Sequence, residues 1–273
     1  MRSEKQARNG SLAAGIDAGS TTTKAVLLDR DGKVVSFALI PTGADSRDSS
    51  RQVLHQALQK AGADEKALAY TMATGYGREI AEAAAETVTE ITCHARGVHA
   101  LLGSTRTIID IGGQDSKAIR INDQGRVQDF AMNDKCAAGT GRFLEVMSRT
   151  LGISLNEMGE CGLKSTRRVH VSSMCTVFAE SEVVSLVARG EKVEDIVNGI
   201  HQAISDRVAS LAMRVGLEPP VAITGGVAKN LGVVRALEER LSARLEIPPE
   251  PQITGALGAA IIAWEKAARK NQR

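Results

Sequence analysis

The sequence predicts an α/β protein built from two similar halves, and three observations carry that prediction. A strand, a glycine turn and a second strand occupy residues 12–28, and the same succession returns about 95 residues later. Each meander gives way to segments whose apolar residues recur at helical spacing, with a short apolar strand among them. The chain is long enough, at 273 residues with 43% hydrophobic, to bury one large core or two smaller ones.

Residues 1–11 are polar and lack periodicity, and a disordered arm is expected there. From Leu12, LAAGIDAGSTTTKAVLLDRDGKVVSFALI reads as three strands. An apolar run ends at Asp17, a Gly-Ser-Thr-Thr turn leads to a second run up to Leu28, and the turn Asp29-Arg30-Asp31-Gly32 opens a third from Lys33 to Ile40. Residues 49–62 and 77–85 are expected to be helical, with a strand around 67–73 between them and a further helix from about 92 to 102. The pattern then restarts in TIIDIGGQDSKAIRINDQGRVQDFAM, where Asp110-Ile111-Gly112-Gly113 matches Asp17-Ala18-Gly19-Ser20 in kind. After residue 136 the chain is mostly helical. Ile196, Ile200, Ile204, Val208, Leu211 and Val215 form the apolar stripe of an amphipathic helix over 192–216, which Pro219-Pro220 ends. The strand VAIT (221–224) runs through Gly225-Gly226 into a helix over 229–243, and Gly255-Ala256 opens a last helix carrying Leu257, Ile261 and Trp264. Two such halves facing one another predict a ligand cleft between them.

Composition narrows the function classes. Lys+Arg number 34 against 32 Asp+Glu, a formal charge of +2, so neither the charge excess nor the aromatic platforms of a nucleic-acid binder are present in a chain with only seven aromatic residues. No apolar stretch approaches the roughly 20 residues of a membrane helix, and the N-terminus has no signal-peptide core, so a cytoplasmic protein is expected. Four cysteines are too few for a disulfide scaffold of this size, which makes metal or redox chemistry the expected shared role.

The two glycine turns carry phosphate chemistry. Asp17 stands at a strand end before Gly19, the hydroxyls of Ser20, Thr21 and Thr22, and the ammonium of Lys24; that set can hold Mg²⁺ and wrap nucleotide phosphates. In the second turn Asp110 is suited to act through Mg²⁺ or its water, Gly112 and Gly113 open the backbone, and Gln114 is suited to orient an attacking water. Neither is a Walker A loop. A third element, Ile223-Thr224-Gly225-Gly226-Val227-Ala228-Lys229-Asn230, lets a nucleoside lie against Gly225 and Gly226 with Lys229 at its border. In order and spacing the three segments resemble the phosphate-1, phosphate-2 and adenosine motifs of the acetate and sugar kinase, heat-shock chaperone and actin superfamily, from about residue 13 to the end. The resemblance implies an actin-like (ribonuclease H-like) duplicated α/β fold with ATP/ADP and Mg²⁺ in its cleft. It also implies halves at 12–104 and 105–255, with the C-terminal helix 256–270 rejoining the first.

Cys136 and Cys175 each precede a helical segment, where the exposed N–H groups and positive dipole end favour a thiolate or an anionic cluster. Two such cysteines are half of a Cys₄ set, which a second copy across a twofold axis would complete around an iron–sulfur cluster. The plainer reading is that each is a small buried hydrophobe; a zinc site using Cys161 or His170 lacks a Cys-x-x-Cys pair. Cys93 and Cys161 are expected to be free thiols, and the segments Thr74-Gly75-Tyr76-Gly77-Arg78 and Glu90-Ile91-Thr92-Cys93-His94-Ala95 carry no assigned chemistry.

KCAAGTGRFLE and CTVFAESEVVSL, with the interval from Cys136 to Cys175, resemble the ATP-dependent activators of 2-hydroxyacyl-CoA dehydratases, whose relatives include the ATPase subunits of benzoyl-CoA reductase. That resemblance implies a homodimer carrying one [4Fe-4S] cluster between its subunits, with Cys136 and Cys175 as this chain's ligands. It further implies a role in anaerobic metabolism: an electron is taken from a ferredoxin or flavodoxin and passed, at the expense of ATP, to an iron–sulfur dehydratase or reductase acting on an acyl-CoA. A small-molecule kinase and an ATP-regulated chaperone of the same superfamily stand as alternatives; the first needs a phosphoryl-acceptor pocket, and the second predicts no cluster.

Overall fold

A computed structural model of the protein describes residues 10–270, so the expected arm lies largely outside the described residues. Both meanders form and both seed a five-stranded sheet. In the first, β1 (Leu12–Ala18) pairs antiparallel with β2 (Thr22–Leu28), which pairs with β3 (Val34–Pro41); β4 (Leu68–Thr74) joins β1 in parallel and β5 (Glu86–Thr87) follows it. In the second, β6 (Thr107–Ile111), β7 (Ser116–Ile121) and β8 (Val127–Asn133) repeat the meander, β9 (Val221–Thr224) joins β6 in parallel and β10 (Leu245–Glu246) extends it. The strand orders are β3-β2-β1-β4-β5 and β8-β7-β6-β9-β10, one topology used twice.

The chain divides into two compact units. One holds the chain up to Gly103, the short stretch Gln124–Arg126 and everything from Gln252 onward; the other holds Ser104–Asp123 and Val127–Pro251. In the first unit every residue of β1 is buried, because both faces of its sheet are covered. Helix α1 (Ser46–Lys60) lays Val53, Leu54, Ala57 and Leu58 on Ala14, Ile16, Ala25 and Leu27. On the opposite face α8 (Thr254–Lys270) lays Ala256, Leu257 and Ala260 on Val26 and Leu28. The helix α2 (Glu90–Leu101) meets α8 at backbone distance: a Cβ at Gly258 would stand 1.8 Å from the Cys93 carbonyl oxygen. Each fully buried Leu or Ile in these layers contributes on the order of 1.5–3 kcal/mol of transfer free energy.

The second unit has one continuous core. The stripe expected on the long helix is buried throughout α6 (Val193–Arg214), where Ile196, Ile200 and Ile204 are fully enclosed with Ile109, Ile111, Phe143 and Leu144. Around it pack α3 (Gly141–Leu151), α4 (Leu155–Leu163), α5 (Thr176–Ala188) and α7 (Leu231–Leu241).

Three segments differ from expectation. The residues 77–85 form only a 3₁₀ turn at Arg78–Ile80, because the Ala85 N–H donates to the Thr71 carbonyl and the chain is drawn alongside β4 as β5. Sheet pairing outweighs the helical preference of the alanines there. Helix α7 starts at Leu231 instead of 229, after a 3₁₀ turn at Gly226–Lys229 and an Asn230 cap on the Val233 N–H at 3.1 Å. Helix α4 was not expected, although Ser154 and Glu157 form a capping box that is readable as S-x-x-E.

Candidate functional site

Asp17 ends β1 nearly buried, and the register of the sheet decides what faces it. Lys24 of β2 stands opposite, with Nζ 3.1 Å from Oδ2. Strand alternation keeps Thr22 and Lys24 on one face and turns Thr23 inward, where its hydroxyl meets those of Thr42 and Ser49. The turn itself is tight: a Cβ at Gly19 would lie 2.7 Å from the Thr22 carbonyl oxygen. Ser20 and Thr21 are exposed at its tip. Thr42 braces it from below, its hydroxyl donating to the Gly19 carbonyl at 2.7 Å and its N–H to the Thr21 carbonyl at 3.0 Å. On the other side of β1, Thr74 of β4 is in register with Asp17, and the chain then turns at Gly75 with φ +87°. Any other residue at Gly75 would push its Cβ within 2.5 Å of Asp17 Oδ1.

The second unit repeats this arrangement with more bonds. Asp110 of β6 faces Lys117 of β7, and the buried ammonium lies 3.4 Å from Asp110 Oδ2 and 2.8 Å from Asp115 Oδ2. Thr224 of β9 is in register with Asp110 and donates its hydroxyl to Oδ1 at 2.7 Å. The turn closes through the Gly112 N–H to the Asp115 carbonyl, and Gln114 is exposed at its tip. Gly225, with φ +85°, is pressed against the same turn: a Cβ there would sit 2.2 Å from the Ile111 carbonyl oxygen. Helix α3 starts on it too, since the Gly141 and Arg142 N–H groups donate to the Gly112 and Gly113 carbonyls at 2.8 Å.

Thus Asp17, Gly19, Ser20, Thr21, Thr22 and Lys24 share one hairpin, and Asp110, Gly112, Gly113, Gln114, Gly225 and Gly226 share one end of the second sheet. Lys229 closes the 3₁₀ turn that follows, with its ammonium 3.7 Å from Glu250. The sequence alone assigns no role of their own to Thr42, Gly75 or Thr224. For Gly75 and Thr224 a signal existed, because Thr-Gly follows an apolar strand at both 74–75 and 224–225.

The four cysteines fall into distinct environments. Cys93 is buried in the first unit, and burial pushes its thiol up to about 12, so it stays protonated. Burial also raises Cys161 on α4, with Glu194 adding to the effect. Cys136 and Cys175 are only partly covered. Cys175 occupies the N-cap position of α5, and the loop of Cys136 is tied by the Asn133 side-chain amide donating to its carbonyl at 2.8 Å. Beside Cys175, Met174 just before α5 and Val177, Phe178, Val184 and Val187 on it are all exposed. Among the described residues no group of three or more His, Cys, Asp or Glu could hold a metal within one chain. Cys136 and Cys175 amount to half of a Cys₄ donor set, so a cluster would need two further thiolates from outside the chain. Among the described residues no helix is long and apolar enough to cross a membrane.

The model of the BadF/BadG/BcrA/BcrD ATPase family matches residues 14–263. The activator of lactoyl-CoA dehydratase from Anaerotignum propionicum is 49% identical over 257 residues, covering 94% of this chain and 98% of that protein. The crystal structure of component A of the Acidaminococcus fermentans (R)-2-hydroxyglutaryl-CoA dehydratase superposes with a TM-score of 0.91 at 44% identity, over 94% of this chain and 99% of that one. The activator of the 2-hydroxyisocaproyl-CoA dehydratase from Clostridium difficile, solved with bound ADPNP, also gives 0.91, at 42% identity over 96% and 97%. These likenesses bear out both the resemblance to the activators and the actin-like, duplicated α/β fold.

Proposed function

The chain belongs to the BadF/BadG/BcrA/BcrD ATPase family, and on that footing we propose that it is an ATP-hydrolysing activator that delivers single low-potential electrons to a 2-hydroxyacyl-CoA dehydratase. The active form is a homodimer with one [4Fe-4S] cluster held by Cys136 and Cys175 of each copy. The observation that carries this reading is the pairing of two partly exposed thiols in one unit with the uncovered apolar face of α5 beside one of them. A patch of that kind is costly to leave in water, and a second copy would cover it while completing a Cys₄ set.

ATP is the substrate and Mg²⁺ its companion. The hydroxyls of Ser20, Thr21 and Thr22 and the ammonium of Lys24 contact phosphate oxygens, and Gly19, Gly112 and Gly113 let backbone N–H groups approach them. Asp17 and Asp110 would hold Mg²⁺ through its water shell, Gln114 orients the water that attacks the γ-phosphorus and displaces ADP, and Gly225, Gly226 and Lys229 border the nucleoside. When bound, the cluster supplies a one-electron store whose potential depends on its surroundings. The first N–H groups of α3 donate to the Gly112-Gly113 turn and the Cys136 loop lies just before that helix, so the nucleotide turn and one proposed cluster ligand are linked through the start of α3. A ferredoxin or flavodoxin supplies the electron, and the site of action is cytoplasmic.

Purification without oxygen, with iron, acid-labile sulfide and native mass measured together, tests the proposal. Four iron and four sulfide per homodimer are expected, and Cys136→Ser should lose the iron while still binding ATP. Iron-free protein after anaerobic reconstitution, or full iron in Cys136→Ser, would sink the cluster assignment. The family also holds benzoyl-CoA-type reductase subunits, and that reading would show itself as an obligate complex with unlike subunits in place of a stable homodimer.

A further inference from the structure

We propose that Thr224 is a positioning residue for ATP hydrolysis, clamping the Asp110 carboxylate through a hydroxyl hydrogen bond that the equivalent Thr74 does not make to Asp17. The inference rests on the reading that Asp110 serves the hydrolysis of ATP.

The duplicated fold supplies its own control. In each sheet a central strand presents an aspartate, an antiparallel neighbour places a lysine opposite it, and a parallel neighbour places a threonine opposite it: Asp17, Lys24 and Thr74 in one, Asp110, Lys117 and Thr224 in the other. All six are at least largely buried, with Thr74 and Thr224 wholly so. Yet the two triads diverge at the threonine hydroxyl. Thr224 Oγ1 donates to Asp110 Oδ1 at 2.7 Å while the Lys117 ammonium stands 3.4 Å from Oδ2, so each carboxylate oxygen has its own partner. Among the described residues the Thr74 hydroxyl makes no hydrogen bond to Asp17, and the buried Cys93 thiol is the group beside it. Asp17 instead has Gly75 lodged against Oδ1 and Lys24 on Oδ2.

A carboxylate tethered at both oxygens cannot rotate about its Cβ–Cγ bond without breaking a buried hydrogen bond, which costs about 1–3 kcal/mol. Its remaining lone pairs therefore keep fixed directions. A carboxylate that is meant to hold a water or a hydrated cation in line with a phosphate gains from that fixity, because misplacement by about 1 Å costs on the order of 100-fold in rate. Asp17, held on one side only, is left able to change partners when phosphate and metal enter.

Thr224→Val removes the hydroxyl and keeps the shape of the side chain. With MgATP as substrate and a fluorescent ATP analogue as the binding probe, Thr224→Val is expected to lower kcat about 10- to 100-fold while the analogue's Kd moves less than about threefold. Thr224→Ser should restore kcat to within about threefold, and Thr74→Val should leave it within about twofold. Wild-type kcat in Thr224→Val overturns the clamp, as does a loss of turnover matched by equal losses of binding and thermal stability. Asp110→Asn separates the two claims. Impaired Asp110→Asn beside unimpaired Thr224→Val removes the clamp alone, whereas wild-type turnover in Asp110→Asn removes the underlying reading and the clamp with it.

Discussion

The two units carry the same strand order and the same Asp-Lys-Thr register, yet the copy around Asp110 is knit more tightly than the copy around Asp17. Lys117 is nearly inaccessible and neutralises two carboxylates, Asp110 and Asp115, while Lys24 keeps some exposure and serves Asp17. Thr224 bonds its aspartate and Thr74 does not. The difference teaches that a duplicated fold conserves where chemistry can be placed, through strand register, and leaves free how firmly each copy holds it.

Variants can break or sharpen that contrast. The largest effect is expected at the two positive-φ glycines. Gly225→Ala drives a Cβ into the Ile111 backbone carbonyl at 2.2 Å and should cost about 4 kcal/mol or more, whereas Gly75→Ala meets the movable Asp17 side chain first and should cost less. Urea midpoints of the two variants check the order, and equal losses would count against a stiffer second unit. Next comes Lys117→Met, which strands two carboxylates in a buried setting and should cost about 3–5 kcal/mol, against about 1–2 kcal/mol for Lys24→Met.

A smaller effect distinguishes the units by pH. Burial pulls the His201 imidazole of α6 down to about 4, below its ordinary 6.5. The unfolded chain therefore takes up a proton near pH 6.5 that the folded chain refuses until about pH 4, so this contribution to stability is complete above pH 6.5 and is lost as pH falls. Between pH 7 and pH 5 the second unit should lose about 2 kcal/mol from this residue. Hydrogen exchange in α4, α6 and α7 should quicken on acidification in the wild type and less so in His201→Gln; the same acceleration in the variant would exonerate the imidazole. The smallest effect is one of reactivity. In the metal-free protein a thiol reagent should modify Cys136 and Cys175 readily, Cys161 more slowly and Cys93 only on unfolding, which confines native labelling to the second unit. Fast labelling of Cys93 would show that the first unit opens more readily than its packing implies.

The turns at 17–24 and 110–117 were legible because a carboxylate at a strand end, followed by glycine and hydroxyls, is a local pattern. The stripe from Ile196 to Leu211 was legible because 3.6-residue periodicity needs no partner to be seen. The failures share a cause. At 77–85 the alanines favour a helix locally, and only the presence of β4 alongside converts the segment's end into β5. Thr42 gives no sign in sequence that it braces the Gly19 turn, since the partner lies 23 residues away and is a backbone carbonyl.

Sequence by itself determined which side chains this protein can use: two aspartate-glycine turns, a diglycine after a buried strand, and cysteines at 136 and 175 ahead of helices. Local chemistry and periodicity are written residue by residue, so they survive without coordinates. Tertiary structure alone decided which of them stand opposite one another. Register across β6 and β9 put Thr224 on Asp110, register across β1 and β4 put Thr74 near Asp17 without a bond, and packing hid Cys93 while leaving Cys136 and Cys175 within reach of solvent. Those outcomes depend on residues from 57 to 114 positions away, as in the pairs Asp17 with Thr74 and Asp110 with Thr224, and no local pattern encodes a distance of that kind.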